Sequence, residues 1–133
     1  AFSNAKKFCI MTYARILKLD ELRMSLATKG LAVLGIEVFK GMFKTKTGLV
    51  PIPKKGERSL GGHAIAACGF DDEKELVKFK NSWSEKWGDK GFGYLPYVYI
   101  ERYMMDAWSS VDIEDPNPLT LASVLSYQKR AVG

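Results

Sequence analysis

No stretch of this chain keeps a single hydrophobic period for long. Short apolar or alternating runs are cut apart by Gly, Pro and charged turns: Lys7 to Ile16, Leu31 to Phe39, His63 to Phe70, Leu76 to Lys80, Gly91 to Tyr99 and Trp108 to Ile113. Runs of this length, bounded by turn residues and rich in β-branched and aromatic side chains, are strand signals. One early segment differs. Asp20 stands before Glu21-Leu22-Arg23-Met24-Ser25-Leu26-Ala27, and Leu19, Leu22 and Leu26 recur at helical spacing. That pattern predicts a short helix with Asp20 as N-cap and Gly30 as its stop. Asp71-Asp72-Glu73 predicts a turn that pairs the His63 strand with Leu76 to Lys80. Gly41 to Leu60 reads as a long Gly-, Pro- and Lys-rich excursion. Many short strands with one early helix predict an α+β fold built on an antiparallel sheet or small β-barrel.

At 133 residues the chain makes one domain or half of a larger unit. Three Trp, six Tyr and seven Phe suit a packed core and argue against disorder. Twenty basic residues against fifteen acidic ones leave +5, but the signs are interleaved. Nucleic-acid binding asks for a concentrated basic stripe, so no nucleic-acid partner is expected. No apolar run approaches the ~20 residues of a membrane-spanning helix. Two cysteines, Cys9 and Cys68, allow at most one internal disulfide and leave the redox compartment open. The opening Ala1-Phe2-Ser3-Asn4 carries neither an initiator Met nor a signal-peptide pattern, as in a processed product or a trimmed piece. Pro116 and Pro118 mark a break, which divides the chain into a compact unit over 1–115 and a tail over 116–133. Within that tail Leu119 to Lys129 carries a helical apolar face.

His63 is the only histidine. Taken alone, a histidine heading an apolar strand is more often structural, and an asparagine before Ser-Trp is usually a turn residue. Together with Asn81, Trp83 and Trp87 it makes a chemical pattern. A cysteine nucleophile acts as thiolate and needs an imidazole beside it. The imidazole needs a third group to fix its tautomer and orientation. Adjacent strands joined near Asp71-Asp72 would bring the Asn81 amide beside His63. Trp83 would then cover the hydrogen bond between them and keep it dry, which strengthens it.

These segments, Gly62-His63-Ala64, Asn81-Ser82-Trp83 and Trp87-Gly88-Asp89-Lys90-Gly91-Phe92, resemble the second half of the papain-like cysteine proteases. The resemblance runs from about Phe8 to Ile113. Val50-Pro51-Ile52-Pro53, Pro96-Tyr97 and Asp106-Ala107-Trp108 are similar to bacterial or viral branches more than to plant papain. It implies a β-barrel-like antiparallel lobe carrying the histidine and asparagine, with the helical, nucleophile-bearing lobe missing from this chain. It implies catalytic roles for His63 and Asn81, shielding by Trp83 and Trp87, and a substrate pocket lined by Gly35, Gly62 and Ala64. Small residues there would leave a roomy apolar pocket for a bulky side chain. The implied reaction is peptide-bond hydrolysis by acyl transfer on a peptide or protein substrate, with no cofactor and no metal.

The family's Cys-Gly-x-Cys-Trp segment is absent. Cys9 lies in the first strand, and Cys68 sits five residues past His63, an odd offset that turns it to the opposite strand face. Both read as core thiols, so the chain holds no nucleophile. Ser84 stands where the family usually has Gly, and Gly30-Leu31 where it has Gly-Pro. Two functions remain open. One is the histidine-bearing lobe of a peptidase whose cysteine comes from another segment or chain. The other is an inactive papain-like module with a structural or binding role. The first predicts an exposed apolar face where the partner lobe would sit.

Overall fold

The computed structural model describes residues 9–114, with side-chain environments for 14–109. The tail over 116–133 and its expected helix lie outside the described residues, as does the side-chain environment of Cys9. The elements run β1 (Cys9–Arg15), α1 (Leu19–Lys29), β2 (Ala32–Glu37), α2 (Lys40–Lys44), β3 (Gly62–Asp71), β4 (Leu76–Lys80), β5 (Phe92–Pro96), α3 (Tyr97–Tyr103) and β6 (Met104–Glu114). The α+β reading holds. All six strands form one antiparallel sheet in the order β1-β6-β2-β3-β4-β5.

The sheet is open rather than closed into a barrel, with β1 and β5 as its edges. The β5 edge is partly covered. Val50 N donates to Tyr94 O at 2.9 Å, and Tyr94 N donates to Gly48 O at 2.8 Å. The Gly41–Leu60 excursion thus returns to guard an edge that would otherwise offer unpaired backbone groups. It also contains α2, which the sequence pattern did not predict.

The helix α1 starts two residues earlier than expected. Lys18 occupies the N-cap, and Glu21 takes the capping role: its Oε1 accepts from Leu17 N at 2.8 Å and Lys18 N at 3.1 Å. Asp20 lies inside the first turn and pairs with Arg23. A carboxylate three residues into the helix reaches the free N–H groups as well as one at the cap. Gly30 ends the helix in the left-handed region at φ 79°, donating to Leu26 O at 2.9 Å. The side chains of Leu22 and Leu26 bury against the sheet.

The core lies on one face of the sheet. Leu34 and Ile36 of β2, Ile65 and Ala67 of β3, Val77 and Phe79 of β4, Leu95 of β5 and Ala107 of β6 all point inward, as period-two alternation requires. Tyr97 to Met105, ambiguous in the sequence, forms α3 and the start of β6. Pro96 directs the chain out of β5, and Tyr97, Tyr99 and Ile100 return to the core. Trp108 to Ile113 belongs to a longer strand that sits between β1 and β2 rather than at an edge. No helix among the described residues is long and apolar enough to cross a membrane.

Candidate active site

His63 and Asn81 meet through the register of the β3–β4 hairpin. Ala66 pairs with Lys80 and Ala67 with Phe79, so the next step sets Asn81 opposite Ile65. His63 lies two residues from Ile65 on the same face, a diagonal neighbour within reach of a long side chain. Its Nε2 sits 2.9 Å from Asn81 Oδ1. That oxygen also accepts from Ser82 N at 2.8 Å. Two donors converging on one atom identify it as the amide oxygen, so Nε2 carries the proton in the neutral ring. Nδ1 is left as the basic nitrogen.

The amide is held from several sides. Asn81 is only 2% exposed. Its backbone N donates to Gly91 O at 2.9 Å, which closes the neck of the 81–91 loop. Its Nδ2 is buried and finds no acceptor among the described residues. Such a donor costs about 1–3 kcal/mol.

Trp83 stacks on the His63 ring, with centroids 5.1 Å apart and planes 27° from parallel. Phe43 of α2 also stacks on Trp83, at 4.5 Å and 9°. Trp87 does not reach the imidazole. It meets Trp83 edge-on at 5.4 Å, leans on Phe79 at 5.8 Å, and donates Nε1 to Met42 O at 2.8 Å. The two tryptophans therefore divide the work: Trp83 covers the ring, and Trp87 holds Trp83. Gly93 makes room for this, because a Cβ there would collide with both Phe79 and Trp87 rings.

Gly35 and Ala64 are register partners on the outer face of the sheet, next to the histidine. Gly62 lies opposite Glu37 and is exposed, with the Met105 thioether beside it. The space over Gly35 is not apolar. Asp106 Oδ1 lies 2.5 Å from where a Cβ at Gly35 would stand. Gly35 and Asp106 pair across β2 and β6, so an acidic wall borders the small residues.

Cys68 is half-buried rather than sealed in the core. A bulge between Ala67 and Gly69 takes it out of the strand alternation, so face parity does not describe it. Its Sγ lies 3.6 Å from Lys78 O, and burial pushes the thiol up, with nearby Lys78 working against that. At strand rise, five residues put it about 17 Å along β3 from His63. Phe43 and Asp106 are the neighbours that sequence reasoning missed. No group of three or more His, Cys, Asp or Glu among the described residues is arranged to hold a metal ion.

The model of the papain family cysteine proteases matches residues 3–107. An uncharacterised peptidase C1-like protein of Acanthamoeba polyphaga mimivirus is 33% identical over 130 residues, which is 87% of this chain and 42% of that protein. A cathepsin B-like cysteine proteinase of Caenorhabditis elegans is 30% identical over 89 residues, covering 65% of this chain and 25% of that protein. Xylellain, a cysteine protease from Xylella fastidiosa, superposes with a TM-score of 0.67 at 30% identity, over 73% of this chain and 38% of xylellain. The proCathepsin B of Trypanosoma congolense, at 17% identity and a TM-score of 0.59, shares the fold over 79% of this chain and 35% of its own. The chain spans less than half the length of each of these proteins.

Proposed function

The chain belongs to the papain family of cysteine proteases, and from that premise we propose that it is the histidine- and asparagine-bearing lobe of a peptidase. Residues 1–115 form this lobe, residues 116–133 follow it, and a nucleophilic cysteine comes from another segment or chain. The observation that carries the reading is the 2.9 Å bond from His63 Nε2 to Asn81 Oδ1 beneath Trp83.

The chemistry follows from the tautomer. Asn81 holds Nε2–H, so Nδ1 takes the proton from the incoming thiol. The thiolate attacks the peptide carbonyl, and a C–S bond forms as the carbonyl becomes an oxyanion. The C–N bond then breaks, and the amine leaves with the proton from Nδ1. Water hydrolyses the thioester with Nδ1 as base, which returns the thiol. Asn81 exchanges no proton and keeps the ring in register while its charge changes. Trp83, Phe43 and Trp87 exclude water from the bond that does this positioning. Gly35, Gly62 and Ala64 leave room for a substrate side chain, and Asp106 forms an acidic wall.

The test is hydrolysis of fluorogenic peptides by the protein as isolated with its cysteine-bearing segment. Activity abolished by His63→Ala and sharply reduced by Asn81→Ala supports the lobe reading. A protein that binds peptides without cleaving them, unchanged by His63→Ala, would instead be an inactive papain-like module.

A further inference from the structure

Strand β6 breaks its inside–outside alternation where it passes the histidine. Asp106 pairs with Gly35 and Met104 with Ile36, so Met105 is an extra residue against β2. A bulge of this kind re-aims the side chains around it. Ala107 keeps its place in the core, and Met104 packs against that core. Met105 and Asp106 between them are both exposed, Met105 to 58%. A regular strand would send only one of two neighbours to the open face.

These two side chains frame the small residues beside His63. Gly62 and Ala64 flank the histidine in β3, and Ala64 pairs with Gly35. The Met105 sulfur lies 3.4 Å from where a Cβ at Gly62 would stand. Asp106 Oδ1 lies 2.5 Å from where a Cβ at Gly35 would stand. Any side chain at position 35 would push that carboxylate aside, so glycine there seats the acid.

A thioether next to a carboxylate makes a surface of two chemistries. Alkyl carbon packs readily on the adaptable, polarizable thioether. The carboxylate takes a cation, and a guanidinium can bond it through two N–H groups. Arginine and lysine carry both parts, a methylene stem and a charged head. A leucine or phenylalanine would strip water from the carboxylate and return no hydrogen bond. The described ion pairs join Arg23 to Asp20 and Asp72, and none of them involves Asp106.

We propose that Asp106 selects substrates with a basic side chain: an arginine or lysine lays its stem along Met105 and pairs its head with the Asp106 carboxylate. The inference rests on the functional reading above and names the substrate class. A cation takes the place of the apolar occupant that the small residues alone suggested.

The test uses the protein with its cysteine-bearing segment and fluorogenic peptides in which Arg, Leu and Glu are exchanged at each position in turn. At one position kcat/KM should be about tenfold higher for Arg than for Leu, and lowest for Glu. Asp106→Asn should bring Arg and Leu to within about twofold of each other. Asp106→Lys should invert the order, so that the Glu peptide is cleaved faster than the Arg peptide. A misfolded variant could not produce that inversion. Glu101→Gln removes an exposed charge from α3 and should leave the Arg-to-Leu ratio as in the parent. Leu cleaved as fast as Arg at every position, or an Arg preference that survives Asp106→Asn, overturns the proposal and leaves the peptidase reading standing. No cleavage of any peptide removes both.

Discussion

Replacing Asn81 with Ala should cost far less stability than its burial suggests. The side chain is 2% exposed, and truncating a fully buried side chain often costs 2–5 kcal/mol. Here the substitution removes two hydrogen bonds, from His63 Nε2 and from Ser82 N, each contributing about 1 kcal/mol net. It also removes a buried, unpartnered Nδ2 whose burial costs about 1–3 kcal/mol. Ser82 is exposed and His63 half-buried, so both released donors reach water. The two sides nearly cancel, and the net change should lie within about 1 kcal/mol of zero. Asn81→Asp keeps the oxygen that accepts both bonds and drops the unmet donor. Urea unfolding followed by tryptophan fluorescence measures the Asn81→Ala change, and a loss above about 3 kcal/mol would refute the cancellation.

Three more outcomes follow from the same contacts. Trp87→Phe keeps a ring against Trp83 but strands Met42 O, so unfolding should become easier by about 1–3 kcal/mol in urea titration. Gly93→Ala forces the Phe79 and Trp87 rings apart and should cost about 1–3 kcal/mol, with a changed near-UV circular dichroism signal from the shifted tryptophans. Tyr97 Oη and Arg23 Nη1 both bond Asp72 Oδ1, at 2.7 and 2.8 Å, and hold that carboxylate below its usual range. Its contribution is present above the unfolded value of about 3.9 and lost as pH falls through the folded one. Asp72→Asn should therefore lower the urea midpoint at neutral pH, and the gap to the parent should close in acid.

The strands were legible because period-two alternation and turn residues report directly on a half-buried sheet. His63 and Asn81 were legible as a pair because one hairpin fixes their separation. What escaped depends on distant register. Asp106 reaches Gly35 only through the β2–β6 pairing and the irregularity between Gly35 and Ile36. Phe43 reaches Trp83 only because α2 folds out of a stretch that carries no helical period. Cys68 was misread because one extra residue in β3 breaks the alternation that the argument relied on. Asp20 was misread because Glu21, one residue later, satisfies the same helix terminus.

The central claim is that His63 and Asn81 serve a thiol carried elsewhere. Treating the native protein with a biotinylated thiol-reactive epoxide, then measuring intact mass and mapping peptides, tests it most directly. The account predicts label on one cysteine outside this chain, lost when His63 is changed to Ala. Label on Cys68 or Cys9, or no label on any cysteine, would contradict it.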